Sequence, residues 1–352
     1  MPRSSEYLPG SRSTPQDRRN EYDVTNTICV SSASSVRDEV LRLFQEIYPN
    51  VGLDAIWIAF HDFELLFDGR LAGYLGCDTV YHDKQHSLDI SLAMARLLVG
   101  YERSSAANDR LGAERAILGI IAALFHDAGY IRRTNEPRRM NGAEFTLWHV
   151  SRSAEFLKNY MAGIGMGETA QIAAQIVHFT GYEINLDDIE LENPKDSMIG
   201  HFLGTADLMA QMADRCYLEK CRDRLYSEFV LAGIAIEDEN GGPTKVMYES
   251  GIDLLKKTPE FFGASARQRL DRKFNRSYRY IEALYDGRNP YMEFISQNLD
   301  YLGQVIAHDD WRALRREPPC FTVLEKPLQS VSALVSGYLA NHNAPASALA
   351  TP

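Results

Sequence analysis

The chain has 352 residues, a formal net charge of −11 and 45% hydrophobic residues, enough apolar material for one large domain or two small ones. The acidic excess argues against a nucleic-acid polymer as a partner, because binding a polyphosphate needs clustered cations. A small anionic substrate would need only a few.

No apolar run in the sequence reaches the roughly 18 residues needed to span a bilayer, and the polar N-terminal stretch lacks the apolar core of a signal peptide. We therefore expect a cytoplasmic protein without a membrane partner. The five cysteines form no CxxC pair, so neither a disulfide framework nor a zinc ribbon is indicated.

The N-terminal part of the chain predicts an arm and two helices. Residues 1–33 are rich in Ser, Pro, Arg and Asn and lack periodic apolar residues, which favours an unstructured arm. From Ser35 apolar residues recur at helical spacing until Pro49. A second helix runs from Asp54 to Asp68-Gly69 and carries His61-Asp62, where an ordinary hydrogen-bonded histidine is the better interpretation.

The third predicted helix, Tyr81 to Val99, brings together two histidines and a carboxylate. Spacings of 4, 3 and 7 residues put His82, His86 and Asp89 on one face. Two histidines one turn apart can converge on one ion or one phosphate, although this spacing also occurs between unrelated surface histidines. Asp89 either orients a histidine ring or is a surface carboxylate.

The fourth predicted helix, residues 112–130, ends in His126-Asp127. The run from Ala116 to Phe125 has no charge, which predicts burial, and Gly129 is expected to be the C-cap. A buried imidazole and carboxylate without partners would cost several kcal/mol. A metal ion or a tight hydrogen-bond network is therefore expected at this helix end.

The loop Ile131 to Arg139 contains four arginines directly after the His-Asp pair. Arg132 and Arg133 are the candidates for binding an anionic substrate. A solvated basic loop that balances an acidic protein is the alternative.

The remaining periodic segments are also helical, so the predicted fold class is all-α. Helices over 144–161 and 168–179 carry His149 and His178, and a long helix over 196–222 places Asp207 among apolar and small residues. A carboxylate there needs an ion or an arginine as partner. We expect a metal-binding helical domain over 34–235, a C-terminal helical extension packed on it over 244–316, and an irregular tail over 317–352.

Six side chains in these buried helical contexts are of types that bind metals. They are His86, His126, Asp127, His149, His178 and Asp207. Their order resembles the HD superfamily: a His, then His-Asp, then a distant Asp, with two further histidines between in two-metal members. Residues 78–230 carry the resemblance, mainly at 81–90, 124–130 and 204–215. It implies an HD-domain helical bundle, here with additional N- and C-terminal helices, and a metal-dependent phosphohydrolase.

The stretch Tyr81 to Ile90 is also similar to the first signature of the class I cyclic-nucleotide phosphodiesterases. That resemblance implies that His86 binds metal and that His82 is the general acid that protonates the leaving oxygen. Asp83 stands where those enzymes have Asn, and Tyr130 where their motif has a second histidine. The substrate therefore does not follow from the similarity.

The ligand types support a dinuclear site. Asp127 could bridge two ions about 3.5 to 4 Å apart, with His86, His126 and Asp207 completing one site and His149 and His178 the other. A water between two cations would ionise to a hydroxide nucleophile near neutral pH. Mixed imidazole and carboxylate ligands suit Fe, Mn, Zn or Co, and Mg and Ni stay open.

The sequence thus predicts a phosphohydrolase, most specifically a phosphodiesterase that uses a metal-bridging hydroxide on a small anionic phosphoester, with nucleotides among the candidates. Asp127 and His82 would be its catalytic residues. An HD-type di-iron oxygenase acting on a small polar substrate and a non-catalytic regulatory HD domain are the alternatives. The oligomeric state is open between monomer and homodimer.

Overall fold

A computed structural model describes residues 18–137, 139–237 and 245–341. Within these ranges the protein is all-α, as predicted, apart from one antiparallel ribbon. No helix in these ranges is long and apolar enough to cross a membrane. The helices are α1 Ala33–Ile47, α2 Asp54–Phe67, α3 Lys84–Ser104, α4 Ala113–Phe125, α5 His149–Gly163, α6 Ala170–Ile176, α7 Pro194–Ala213, α8 Tyr217–Lys220, α9 Tyr226–Leu231, α10 Gly251–Phe261, α11 Pro290–His308 and α12 Pro327–Asn341. The ribbon pairs β1 Ile236–Glu237 with β2 Lys245–Val246.

Helix α3 lies at the centre of the molecule. It packs against α1, α4, α7 and the 3-10 segment Ser277–Leu284, and nearly all its residues are buried. Gly100 makes the last of these contacts possible, because a Cβ there would lie 1.9 Å from the Tyr280 carbonyl oxygen. The side chain of Asp83 accepts a hydrogen bond from the His86 amide and so caps the helix.

The prediction of an unstructured arm over residues 1–33 is wrong for residues 18–33, while residues 1–17 lie outside the described ranges. Arg18 donates to the carbonyl of Ala213 at 2.7 Å. Buried Asp23 pairs with Arg96 of α3 at 2.6 Å, and Arg96 also donates to the Tyr291 hydroxyl of α11. Hydrogen bonds and ion pairs of this kind leave no periodic apolar pattern in the sequence. The polar composition of the segment therefore suggested disorder where the segment is anchored.

The helix predicted over 196–222 is broken after Ala213. The Asp214 side chain accepts from the Cys216 amide and pairs with Lys220 at 2.6 Å, which stabilises a turn where the helix would have continued. The chain then forms α8, a π-helical turn over Cys221–Leu225, and α9. Helices α10 and α11, inside the predicted extension 244–316, pack against α9 and α7 respectively.

The prediction of an irregular tail over 317–352 is wrong for residues 327–341, which form α12, while residues 317–326 have no helix or strand but are anchored to the domain. The Phe321 amide donates to the Asp83 side chain at 3.0 Å, and the Val323 amide donates to the Cys77 carbonyl at 2.8 Å. Helix α12 follows and packs against α9. Residues 342–352 lie outside the described ranges.

Candidate metal centre

The centre begins where α4 ends, with His126 and Asp127 followed by a 3-10 turn over Ala128–Tyr130. Gly129 is not the C-cap that the sequence predicted. It allows α5 to approach, because a Cβ on Gly129 would lie 1.8 Å from the His149 carbonyl oxygen. The absence of a side chain at this position brings His149 beside Asp127.

Three imidazole rings converge on the carboxylate of Asp127. The Nε2 atoms of His86 and His126 lie 3.3 and 3.2 Å from its Oδ2, and the Nε2 of His149 lies 3.6 Å from its Oδ1. Oδ1 of Asp207 lies 3.8 Å from the same Nε2 of His86. The structure therefore brings together five of the six predicted ligands.

Backbone carbonyls fix the tautomers of two of these rings. Nδ1 of His126 lies 2.8 Å from the Ala123 carbonyl, and Nδ1 of His149 lies 2.7 Å from the Thr146 carbonyl. A carbonyl only accepts, so each Nδ1 carries a proton and donates it. Each Nε2 is then directed at Asp127, an arrangement typical of histidines that bind metals.

The buried polar atoms at the centre fit a cation. Nε2 of His126 and Oδ2 of Asp127 have no hydrogen-bond partner, a state that is costly for buried atoms. Burial opposes ionisation of Asp127, but the neighbouring histidines outweigh it and hold its pKa well below the usual range. Burial likewise lowers the pKa of His126, yet Asp127 outweighs it and brings the pKa to about 9. The site favours positive charge, which a proton or a metal ion can supply.

Asp207 reaches the centre from α7, and small residues on that helix let two other segments pack against it. A Cβ on Gly204 would lie 2.4 Å from the Phe274 ring and 2.7 Å from the Phe179 carbonyl. Nε2 of Gln211, one turn later, donates to Oδ1 of Asp207 at 3.1 Å. Among the described residues, two groups have ligand atoms close enough to hold an ion: His82, His86 and Asp127, and His86, His126 and Asp207.

His178 does not join the cluster. It lies in a 3-10 turn after α6, and among the described residues no ion pair, ring contact or hydrogen bond links its side chain to the other ligands. Burial lowers the pKa of His178, opposed by Glu183, which favours a neutral ring. The second predicted ion site therefore has His149 and one oxygen of Asp127 in place, but not His178.

His82 occupies a different position from the one predicted. It precedes the cap of α3 and is not on the helix, and its Nδ1 lies 2.5 Å from Oε2 of Glu228 on α9. Burial lowers the pKa of His82, but Glu228 outweighs it and the pKa is raised. The other Glu228 oxygen accepts the amides of Val80 and Tyr81. Sequence reasoning missed Glu228, since 146 residues separate it from His82 and no local pattern connects them.

The two departures from the phosphodiesterase signature both have structural roles. Asp83 caps α3 and accepts the Phe321 amide, so its carboxylate anchors the C-terminal segment. The Tyr130 ring packs against both His82 and His149, with centroids 4.6 and 4.3 Å away. Tyr130, which stands where the phosphodiesterase signature has a histidine, thus restricts the orientation of two histidine rings.

Arg132 and Arg133 are ion-pair partners within the protein and not the predicted anion-binding pair. Arg132 pairs with Asp78 at 2.6 Å, and Arg133 pairs with Glu155 at 3.1 Å. Neither lines the cavity at the centre. His61, as expected, is remote from the ligands, and its ring stacks on Trp57.

Asp89 lies behind His86 and is not a surface carboxylate. Together with His86, Gln85 and Lys220 it lines a void of about 10 Å³, enough for about one water molecule. Its Oδ1 is buried without a hydrogen-bond partner. Burial, strengthened by the charge of Asp214, raises the pKa of Asp89 to about 7.

A cavity of about 520 Å³ opens onto the candidate metal centre. One end is formed by His82, His86, His126, Asp127, His149 and Asp207, and the other by α9, α10 and the turn between α8 and α9. The volume is in the range of sites that bind small organic molecules. Because α10 lines this cavity, the C-terminal extension forms part of the cavity wall.

Comparison of the chain with protein-family models, curated proteins and solved structures gave no match. The resemblance to the HD superfamily therefore depends on the three sequence segments and on the side chains they contribute.

Proposed function

We propose that this protein is a metal-dependent phosphohydrolase, and specifically a phosphodiesterase acting on a small anionic phosphoester. The observation that supports this is the grouping of a carboxylate-histidine cluster with a separate histidine-carboxylate pair on one cavity. The cluster, centred on Asp127, suits a cation. The pair, His82 and Glu228, suits a proton donor.

His86, His126, Asp127 and Asp207 would hold one ion, and the second oxygen of Asp127 with His149 would hold part of another. The mixed nitrogen and oxygen ligands suit Fe, Mn, Zn or Co, with Mg and Ni as further candidates. When bound, such ions neutralise phosphoryl oxygens and lower the pKa of a water molecule. His178 would need to move to complete the second position.

The leaving oxygen of a phosphodiester needs a proton, and we assign its donation to His82. Glu228 holds Nδ1 of His82 and stabilises the ring in its protonated form, so the Nε2 proton is available. Tyr130 stacks on the ring and limits its rotation. The proton passes from Nε2 to the departing alkoxide while Glu228 keeps its contact with Nδ1 and orients the ring, as the orienting carboxylate does in other histidine pairs.

Hydrolysis of bis(p-nitrophenyl) phosphate by protein reconstituted with Mn, Fe, Zn or Mg tests the proposal. We expect activity with at least one ion, and we expect Asp127→Ala to lose both activity and bound metal. His61→Ala is the matched control, since this exposed ring stacks on Trp57 away from the centre.

Two results would contradict the proposal. One is the absence of hydrolysis with every ion while the metal-loaded protein consumes oxygen on a small polar substrate, which would support the oxygenase alternative. The other is loss of metal in His61→Ala with retention in Asp127→Ala.

A further inference from the structure

We infer that the substrate is an amphiphile, with a phosphoester of low charge at the metal centre and an alkyl or aryl body in the rest of the cavity. The inference rests on the proposed function for the phosphoester end only. The alkyl or aryl part follows from the side chains that line the cavity.

The wall facing away from the ligands is apolar. It is formed by side chains of α7, the π-helical turn, α9, α10 and the segment between them: Leu208, Leu225, Phe229, Ile234, Leu254 and Phe261. Burying an apolar body against such side chains is favourable in proportion to the area removed from water. A cavity of this size can enclose most of a small organic molecule.

The cavity offers little to balance additional negative charge. Among the described residues, Lys257 is its one lysine or arginine, and Nζ of Lys257 already lies 2.9 Å from Oδ2 of Asp253 and donates to the Met247 carbonyl. Arg132 and Arg133 point to other carboxylates. A polyphosphate chain is normally bound by several free cations, and apart from the proposed metal ions this cavity offers it only the paired Lys257.

Four polar side chains of the wall already make hydrogen bonds within the protein. The hydroxyls of Thr146, Thr180 and Thr258 each donate to a backbone carbonyl three or four residues earlier. Gln211 donates to Asp207 and accepts from the Tyr81 hydroxyl. Recognition of a nucleobase edge needs free donors and acceptors, whereas an alkyl or aryl group needs only the apolar surface.

Calorimetric titration of the Mn-loaded protein with ethylphosphonate, octylphosphonate and ATP, below the micellar concentration of the octyl compound, tests this. Each methylene that becomes buried should tighten binding by up to about fourfold. With the chain partly buried we expect octylphosphonate to bind about 30-fold or more tighter than ethylphosphonate, and tighter than ATP. Equal binding of the two phosphonates, or tighter binding of ATP, would overturn the inference.

Phe261→Gln and Leu225→Gln should reduce the octyl-to-ethyl ratio at least about fivefold while binding of ethylphosphonate and metal content stay unchanged. Phe261 is 41% exposed, so its replacement should not disturb folding. Leu75→Gln is the matched control, because Leu75 is 42% exposed and does not line the cavity. A ratio that falls equally in Leu75→Gln, or that is unchanged in both cavity variants, contradicts the inference.

The outcomes separate the two proposals. Chain-length-dependent binding without any phosphoester hydrolysis would leave the apolar site standing and remove the phosphodiesterase. Hydrolysis without dependence on chain length would do the reverse.

Discussion

At the scale of single residues, the pair formed by His82 and Glu228 is the proposed proton donor of the cavity. Glu228 is only 1% exposed and accepts backbone amides as well as the ring, so it holds both the histidine and the segment that carries it. The pair is independent of the ligand cluster in one respect: neither residue is needed to hold an ion at His86, His126 and Asp207.

We predict that His82→Ala keeps its metal but loses about 10²- to 10⁴-fold in turnover on a diester with an alkyl leaving group, the usual worth of a positioned proton donor. The p-nitrophenyl ester should lose far less, since its phenolate leaves without a proton. Glu228→Gln, which keeps the size of the side chain and removes its charge, should show a smaller loss with the same leaving-group dependence. Equal losses on both esters, or loss of metal, would show that His82 positions phosphate or binds metal.

The buried Asp89 carboxyl should make the unfolding free energy depend on pH even in the metal-free protein. Its pKa of about 7 lies above the unfolded value, so its protonated form favours folding. This contribution is complete below pH 4 and is lost as the pH rises towards 7. Asp214, Asp23, Arg18 and Lys220 are the other charges that act on it.

Between pH 5 and pH 8 the unfolding free energy of the wild type should fall on the order of 2 kcal/mol further than that of Asp89→Asn. The amide of the variant mimics the protonated acid at both pH values. Urea denaturation of the metal-free proteins at both pH values measures the difference. Parallel pH profiles of the two proteins would contradict the assignment.

At the scale of helices, periodic apolar spacing predicted which segments are helical, and side-chain capping decided where two of them begin or end. The spacing predicted α1, α2 and the buried run of α4, since each presents a regular apolar face. It placed the start of α3 at Tyr81, whereas Asp83 caps the helix and leaves His82 outside. Aspartate is a favoured N-cap residue, so this signal was present in the sequence. The break at Asp214 depends on the partner Lys220, and no period shows it.

The grouping of His86, His126, Asp127, His149 and Asp207 was predictable because each is an ionisable group next to an apolar helical pattern, a placement that needs a polar partner. The distribution of the ligands in space was not predictable. Whether His178 faces the cluster depends on a 3-10 turn after α6. Whether Arg132 is free depends on Asp78, which is distant in sequence.

Gly129→Ala should separate α4 from α5. Its Cβ would overlap the His149 carbonyl, so we expect a cost of about 1–3 kcal/mol and weaker metal binding as His149 moves away from Asp127. Gly163→Ala, at the other end of α5, is the control because nothing lies within 4 Å of a Cβ there. Thermal unfolding and metal titration of both variants provide the comparison; equal effects would contradict the proposed close packing.

At the scale of the whole molecule, buried ion pairs connect segments that are far apart in the chain. Asp23, Arg96 of α3 and Tyr291 of α11 meet in the interior, and Arg96 is 2% exposed. The N-terminal segment is therefore part of the core, which the composition of residues 1–33 did not reveal.

Asp23→Ala leaves the Arg96 guanidinium buried without its carboxylate, and we expect a loss of about 3–5 kcal/mol in unfolding free energy. Asp38→Ala, which removes the partner of Arg37 in an exposed pair, should change stability by less than about 1 kcal/mol. Urea denaturation at one pH measures both. A loss below about 1 kcal/mol in Asp23→Ala would mean that water or Tyr291 replaces the carboxylate.

The separation of His82 and Glu228 along the chain also sets an order of events during synthesis. His82 leaves the ribosome 146 residues before its partner, an interval of roughly 7–30 s at about 5–20 residues per second. During that time the segments carrying the metal ligands up to Asp207 can emerge, while the histidine-carboxylate pair and the α10 wall are still missing. Under the proposed function, a nascent chain would therefore carry the ion-binding side chains before its proton donor is positioned, and it would cleave alkyl diesters efficiently only after Glu228 has been made.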